Sequence, residues 1–118
     1  MKSNVIDPDA RSTSEGVSPT TVFKALSHSR RQHLLRYLVQ KPGAVALGDV
    51  AEYIAIEEGE LTRDRYERLL TGLCHTHVPH LTDAGLLRYD VDRETVSLQV
   101  ESDSLVPYLE LALSAPSE

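Results

Sequence analysis

Residues 80–100 read HLTDAGLLRYDVDRETVSLQV. Two periods meet in this stretch. Up to Ala84 it continues a helical stripe that begins near Thr62 and runs through Tyr66, Leu69, Leu70, Leu73, His77, Leu81 and Ala84. Gly85 then supplies the left-handed residue that commonly closes a helix. From Leu87 the period becomes two. Leu87 and Tyr89 alternate with Arg88 and Asp90, and Val96, Leu98 and Val100 with Ser97 and Gln99. The expected structure is a long helix over 62–84 that passes directly into a β-hairpin, with its turn near Val91 to Glu94.

Upstream, the spacing predicts three more helices. SPTTVFKAL has Ser18 as N-cap, Pro19 at the first helical position, and Val22, Phe23 and Leu26 on one face. In SHSRRQHLLRYLVQKPG, Ser29 and Gln32 form a capping-box pattern. Leu34, Leu35, Leu38 and Val39 follow at helical spacing, and Lys41-Pro42-Gly43 stops the helix. AVAL at 44–47 is long enough for one small strand. Leu47, Val50, Ala51, Ile54 and Ala55 then mark an amphipathic helix ending at Gly59. Thr62 caps the long helix, and Asp64 suits its positive end. Downstream of the hairpin, SDSLVPYLELAL reads as a last helix capped by Ser102 or Ser104, with Pro107 in its first turn and Leu105, Tyr108, Leu109 and Ala112 as its stripe.

The expected class is therefore mainly α with a small β-hairpin (α+β), in the order of a winged helix-turn-helix. In the parent motif the second helix of the pair enters the DNA major groove. The expected organisation is a disordered arm over 1–18, the winged domain over 19–101, and a C-terminal helix and tail over 102–118 used for packing or dimerisation.

Composition narrows the function. The chain has 118 residues, room for about one domain. No apolar run approaches the length of a membrane span, and the N-terminus lacks the apolar stretch of a signal peptide, so a cytoplasmic location is expected. Cys74 is the only cysteine, which excludes an intrachain disulfide. The net charge of −6 argues against a non-specific nucleic-acid binder. The charge is unevenly spread, however: Lys24, Arg30, Arg31, Arg36 and Lys41 form a run without an acid. Nine arginines against three lysines, with surplus acid, suit a salty cytoplasm. No Gly-rich phosphate loop or nucleophile elbow is present, so no enzyme and no cofactor is expected.

Certain segments resemble a known family. FKALSHSRRQHLLRYL resembles the opening helices of ArsR-type winged-helix regulators, HVPHLTDAGLL the end of their recognition helix, and YDVDRETVSL their wing. Residues 22–100 are more similar still to a winged-helix domain of unassigned function common in salt-loving archaea, which shares the segment Thr76 to Leu81. The resemblance implies a winged-helix fold and a DNA-binding transcriptional regulator. The chain departs from the ArsR pattern between Leu47 and Val78, where it is longer. The metal-sensing cysteines of that family have no counterpart here. Pro79 sits inside the long helix and should kink it.

Cys74, His75, His77 and His80 are zinc-ligand types, but a continuous helix at about 100° per residue cannot aim all four at one ion. No metal is expected. His77 falls on the apolar stripe, where a core histidine bonded to backbone is expected, with Cys74 as a small buried apolar residue. The opposite face carries Arg65, Arg68, Thr71, Gly72 and His75, which can meet phosphates and base edges. Asp64 and Arg68 are an i,i+4 pair, so an ordinary solvated face is the competing reading. Arg93 near the wing tip and Arg30 and Arg31 in the basic run complete the DNA-contact candidates. The acid pair Glu57–Glu58 is expected to be solvated. The chain is expected to bind double-stranded DNA as a homodimer through Leu105, Tyr108, Leu109 and Ala112, with help from Val22 and Phe23. The alternative is a winged-helix module that contacts a protein partner without binding DNA.

Overall fold

The structure is a computed structural model that describes residues 17–114. Helices α1 (Pro19–Ala25) and α2 (Ser29–Val39) are followed by strand β1 (Val45–Ala46) and helix α3 (Leu47–Glu57). The long helix has three parts: α4 (Arg63–Gly72), one π turn (Leu73–His77) and α5 (Val78–Asp83). Strands β2 (Leu87–Asp90) and β3 (Thr95–Leu98) form the hairpin, and α6 (Ser102–Ser114) closes the chain. The three strands are antiparallel in the order β1-β3-β2, with Val45 opposite Val96 and Leu87 opposite Leu98. A helix pair flanked by a three-stranded sheet whose outer hairpin projects as a wing is the winged-helix arrangement, mainly α with a small sheet. Most of the arm expected over 1–18 lies outside the described residues. Val17 already packs on the core, and Ser18 caps α1 by accepting from the Thr21 amide at 3.1 Å.

One core joins all layers. Leu34, Leu35 and Leu38 of α2 meet Val50, Ala51, Ile54 and Ala55 of α3, the long-helix residues Leu69, Leu73 and Leu81, and Leu87 and Val96 of the wing. Burying a side chain of this size contributes roughly 1.5–3 kcal/mol relative to leaving it exposed. The Leu47 amide donates to the Glu94 carbonyl at 2.9 Å, which ties the start of α3 to the end of the wing turn. Gly48 leaves room for the Tyr66 hydroxyl, which would lie 2.7 Å from an added Cβ. None of the described helices is long and apolar enough to cross a membrane.

Four local expectations change. The α2 cap is His28 rather than Ser29: its ring Nδ1 accepts from the Arg30 amide at 3.2 Å, and Ser29 is already helical. Gln32 instead donates from Nε2 to the Leu26 carbonyl at 2.8 Å, satisfying an orphan group at the end of α1. Helix α6 begins at Ser102, so neither Ser102 nor Ser104 precedes it as a cap, and Pro107 sits in its second turn. Upstream of Pro79 the helix widens. The Val78 amide reaches back five residues to the Leu73 carbonyl, and this π turn precedes the position where Pro79 has no N–H to give. The wider turn also brings Val78 into the core beside Leu81.

Helix α6 lies on α1 and α2. Leu105 and Leu109, expected at a dimer contact, are instead sealed in the chain's own core, as is Val22. Phe23 remains about half exposed, with its ring edge-on to half-buried Tyr108 at 5.4 Å. Ala112 is half-buried.

Candidate nucleic-acid interface

The structure separates the arginines proposed for DNA contact into two sets. Arg30 and Arg65 converge on Glu58 from different elements. Arg30 grips it with two bonds, Nε to Oε2 at 2.7 Å and Nη2 to Oε1 at 3.1 Å. Arg65 adds Nη1 to Oε1 at 2.7 Å and holds Glu60 at 2.8 Å. Glu58 follows the last residue of α3, so this clamp fixes α2, the α3–α4 turn and the first turn of α4 together. The hydrogen bond from Arg30, followed by its charge and by Arg65, holds the Glu58 carboxyl below its ordinary pKa, against the opposing effect of burial. Glu58 is thus a half-buried structural acid, not the solvated residue expected at a helix end.

Arg31 is also committed to the fold. Its Nε donates to the Ala25 carbonyl at 2.9 Å and its Nη2 to the Lys24 carbonyl at 3.3 Å, capping the C-terminal end of α1. Its Nη1 faces the Nδ1 of His77 at 3.4 Å. A guanidinium only donates, so this geometry makes Nδ1 the acceptor of a neutral ring. His77 is buried, and its ring lies 4.5 Å from that of His28. Burial foremost, then the nearby charges of His28 and Arg31, push the His77 pKa down from 6.5 to about 4. The core histidine expected at this position is present, but its partner is Arg31 rather than backbone. Arg30, Arg31 and Arg65, candidates for DNA contact, thus each carry bonds within the fold, and Arg30 and Arg65 stay about one-third exposed.

The second set stays on the surface. Arg68, Thr71 and His75 are exposed along α4 and into the π turn, with half-buried Gly72 between Thr71 and His75. Arg68, Thr71 and Gly72 line one groove together with Arg30, Asp64 and Glu67. Thr71 and His75 line the next cleft, between the long helix and the wing, with Leu70, Cys74, Tyr89 and Glu94. The two share Thr71, so a strip of exposed polar side chains runs along the helix to the foot of the wing, bordered there by half-buried Leu70, Cys74 and Tyr89. Gly72 has an ordinary helical φ of −64°, and an added Cβ would meet nothing within 4 Å. Neither backbone conformation nor packing against the other described residues requires glycine at this position.

At the wing turn, Asp90 accepts from the amides of Asp92 and Arg93, both at 3.1 Å, and Glu94 takes a left-handed φ of 54°. Arg93 is exposed, 3.9 Å from Asp90. Arg63 escaped the sequence reading. It begins α4, is almost fully exposed and pairs with Glu67 at 3.5 Å. Its signal was the i,i+4 spacing to Glu67, the same spacing that links Asp64 to Arg68.

Cys74 is half-buried rather than fully buried, beside Tyr89, whose hydroxyl pKa is raised by burial first and by the Cys74 neighbour second. His75 and His80 are exposed while His77 is buried, so the four ligand types do not converge. No group of three His, Cys, Asp or Glu among the described residues is placed to hold a metal ion.

Fold and surface together define a winged-helix domain with an exposed polar helix face beside its wing. The chain belongs to the family described as Domain of unknown function (DUF7344), whose profile matches residues 23–97. No curated protein matches the chain, and no solved structure does.

Proposed function

We propose that this protein is a winged helix-turn-helix transcriptional regulator that binds double-stranded DNA. Arg68, Thr71 and His75 would enter the major groove, Gly72 would let the helix backbone approach the duplex, and Arg93 would reach the flanking backbone from the wing. The observation that carries this reading is Gly72: a half-buried helical glycine in the groove beside Arg68 and Thr71, at a position where neither a positive φ nor a close contact among the described residues calls for one. Glycine weakens a helix interior by about 1 kcal/mol relative to alanine, so its place here suits a close approach by something outside the chain. The ArsR resemblance supports the same reading, as does the position of α4 as the second helix of the pair. A DNA-bound regulator of this kind would be cytoplasmic and would fit the salty cytoplasm that its acid excess suits.

Two such domains would form a homodimer through the surface around Phe23, Tyr108 and Ala112, now without Leu105 and Leu109. The second reading, a protein-interaction module, is favoured by the acids Asp64, Glu67 and Glu94 that share the strip. Fluorescence anisotropy with a labelled duplex from upstream of the protein's own gene separates the two. DNA binding that weakens in Arg68→Ala with His75→Ala supports the regulator. Absence of binding at every salt concentration favours the module.

A further inference from the structure

Each exposed arginine of the long helix and of the wing turn already has a carboxylate beside it. Arg63 sits 3.5 Å from Glu67, Arg68 is bonded to Asp64, and Arg93 lies 3.9 Å from Asp90. All six side chains are solvent-exposed, from 48% for Asp90 to 87% for Arg63, so the pairs are loose enough to open. Glu94 stands at the same surface, in the cleft with Thr71 and His75.

Duplex DNA presents one negative charge per about 1.7 Å of axis, with cations condensed around it. An arginine that meets a phosphate must leave its carboxylate or share it. Either way the carboxylate is brought well within the Debye length of roughly 10 Å from a phosphate. Asp90 cannot swing aside, because its Oδ1 holds two amides of the wing turn. Bulk cation has to neutralise the stranded acids. Three phosphate contacts alone would release about three cations and give a slope of log affinity against log salt near −2.7. Uptake of one cation at each stranded acid offsets that release.

We propose that this surface binds duplex DNA with cation uptake at Asp64, Glu67 and Asp90 that balances the release caused by Arg63, Arg68 and Arg93, so that affinity falls little as salt rises. The inference rests on the DNA reading above and adds the ions as its third partner. The test is anisotropy of the full chain with the labelled upstream duplex over a KCl titration. The wild type should give a slope of magnitude below about 1. Asp64→Asn with Glu67→Gln should bind more tightly at low salt and steepen the slope by about two. Glu67→Gln alone, which leaves the helix start intact, should give about half that change. A wild-type slope of about −2.7 or steeper, or a double variant with an unchanged slope, overturns cation uptake while leaving DNA binding in place. Absence of binding at every salt concentration overturns both.

Discussion

Replacing Gly72 with alanine should raise stability and lower DNA affinity in the same molecule. Gly72 has helical φ and ψ, and outside its own helix backbone the added methyl meets no described atom within 4 Å. The substitution therefore gains the full helix-propensity difference, about 0.8–1 kcal/mol. For a domain of this size that is a rise in melting temperature of about 4–8 °C. Thermal unfolding followed by far-UV circular dichroism reads it directly. On the DNA side, the methyl occupies the space through which the duplex would approach the backbone, and affinity should fall by about tenfold, equivalent to roughly 1.4 kcal/mol. The reasoning fails if the variant is less stable than the wild type, because a contact within the chain would then depend on the glycine. It also fails if stability rises and affinity is unchanged, because the open space would then have no use in binding.

Three further outcomes follow from the buried polar groups and the core. Glu58→Gln should destabilise the protein by about 1.5–3 kcal/mol in urea unfolding, because two half-buried arginines lose a charged acceptor. His77 stays neutral in the fold to about pH 4, whereas the unfolded chain takes up its proton near 6.5, so stability should be flat above pH 6.5 and fall by about 2–3 kcal/mol on acidification to pH 4. That decline should shrink in His77→Gln if the histidine causes it. Leu105→Ala should cost about 2–5 kcal/mol of stability, whereas Tyr108→Ala with Phe23→Ala should spare most of the stability and shift sedimentation toward the monomer. An unchanged sedimentation profile would remove that surface as the dimer contact.

Much of the fold was legible because its determinants are local. The switch from helical to alternating period at Gly85, the Ser18 and Thr62 caps, and the α3 stripe all depend on residues a few positions apart. The candidate site was only half legible. The Asp64–Arg68 pair is an i,i+4 relation and can be read directly. The fate of Arg30 cannot, since its partner Glu58 lies 28 residues away and is reached only when α3 packs on α2. Arg31 likewise looks like a free cation until the end of α1 and the His77 ring are brought against it. Leu105 and Leu109 carry a stripe that fits a dimer seam or an intramolecular packing face equally well. The choice is made by the core of α1 and α2, which α6 covers. The π turn was half anticipated: Pro79 signalled a disturbed helix, but a wider turn rather than a sharp break accommodates it.

The central claim is that the strip from Arg68 to His75 meets DNA. The most direct measurement is anisotropy of the full chain on a labelled duplex from upstream of its own gene, comparing wild type with Arg68→Ala plus His75→Ala. The expected result is saturable binding by the wild type and a loss of at least about tenfold in the variant, with identical circular dichroism. Equal affinity for both proteins, or no binding by either at any salt concentration, would contradict it.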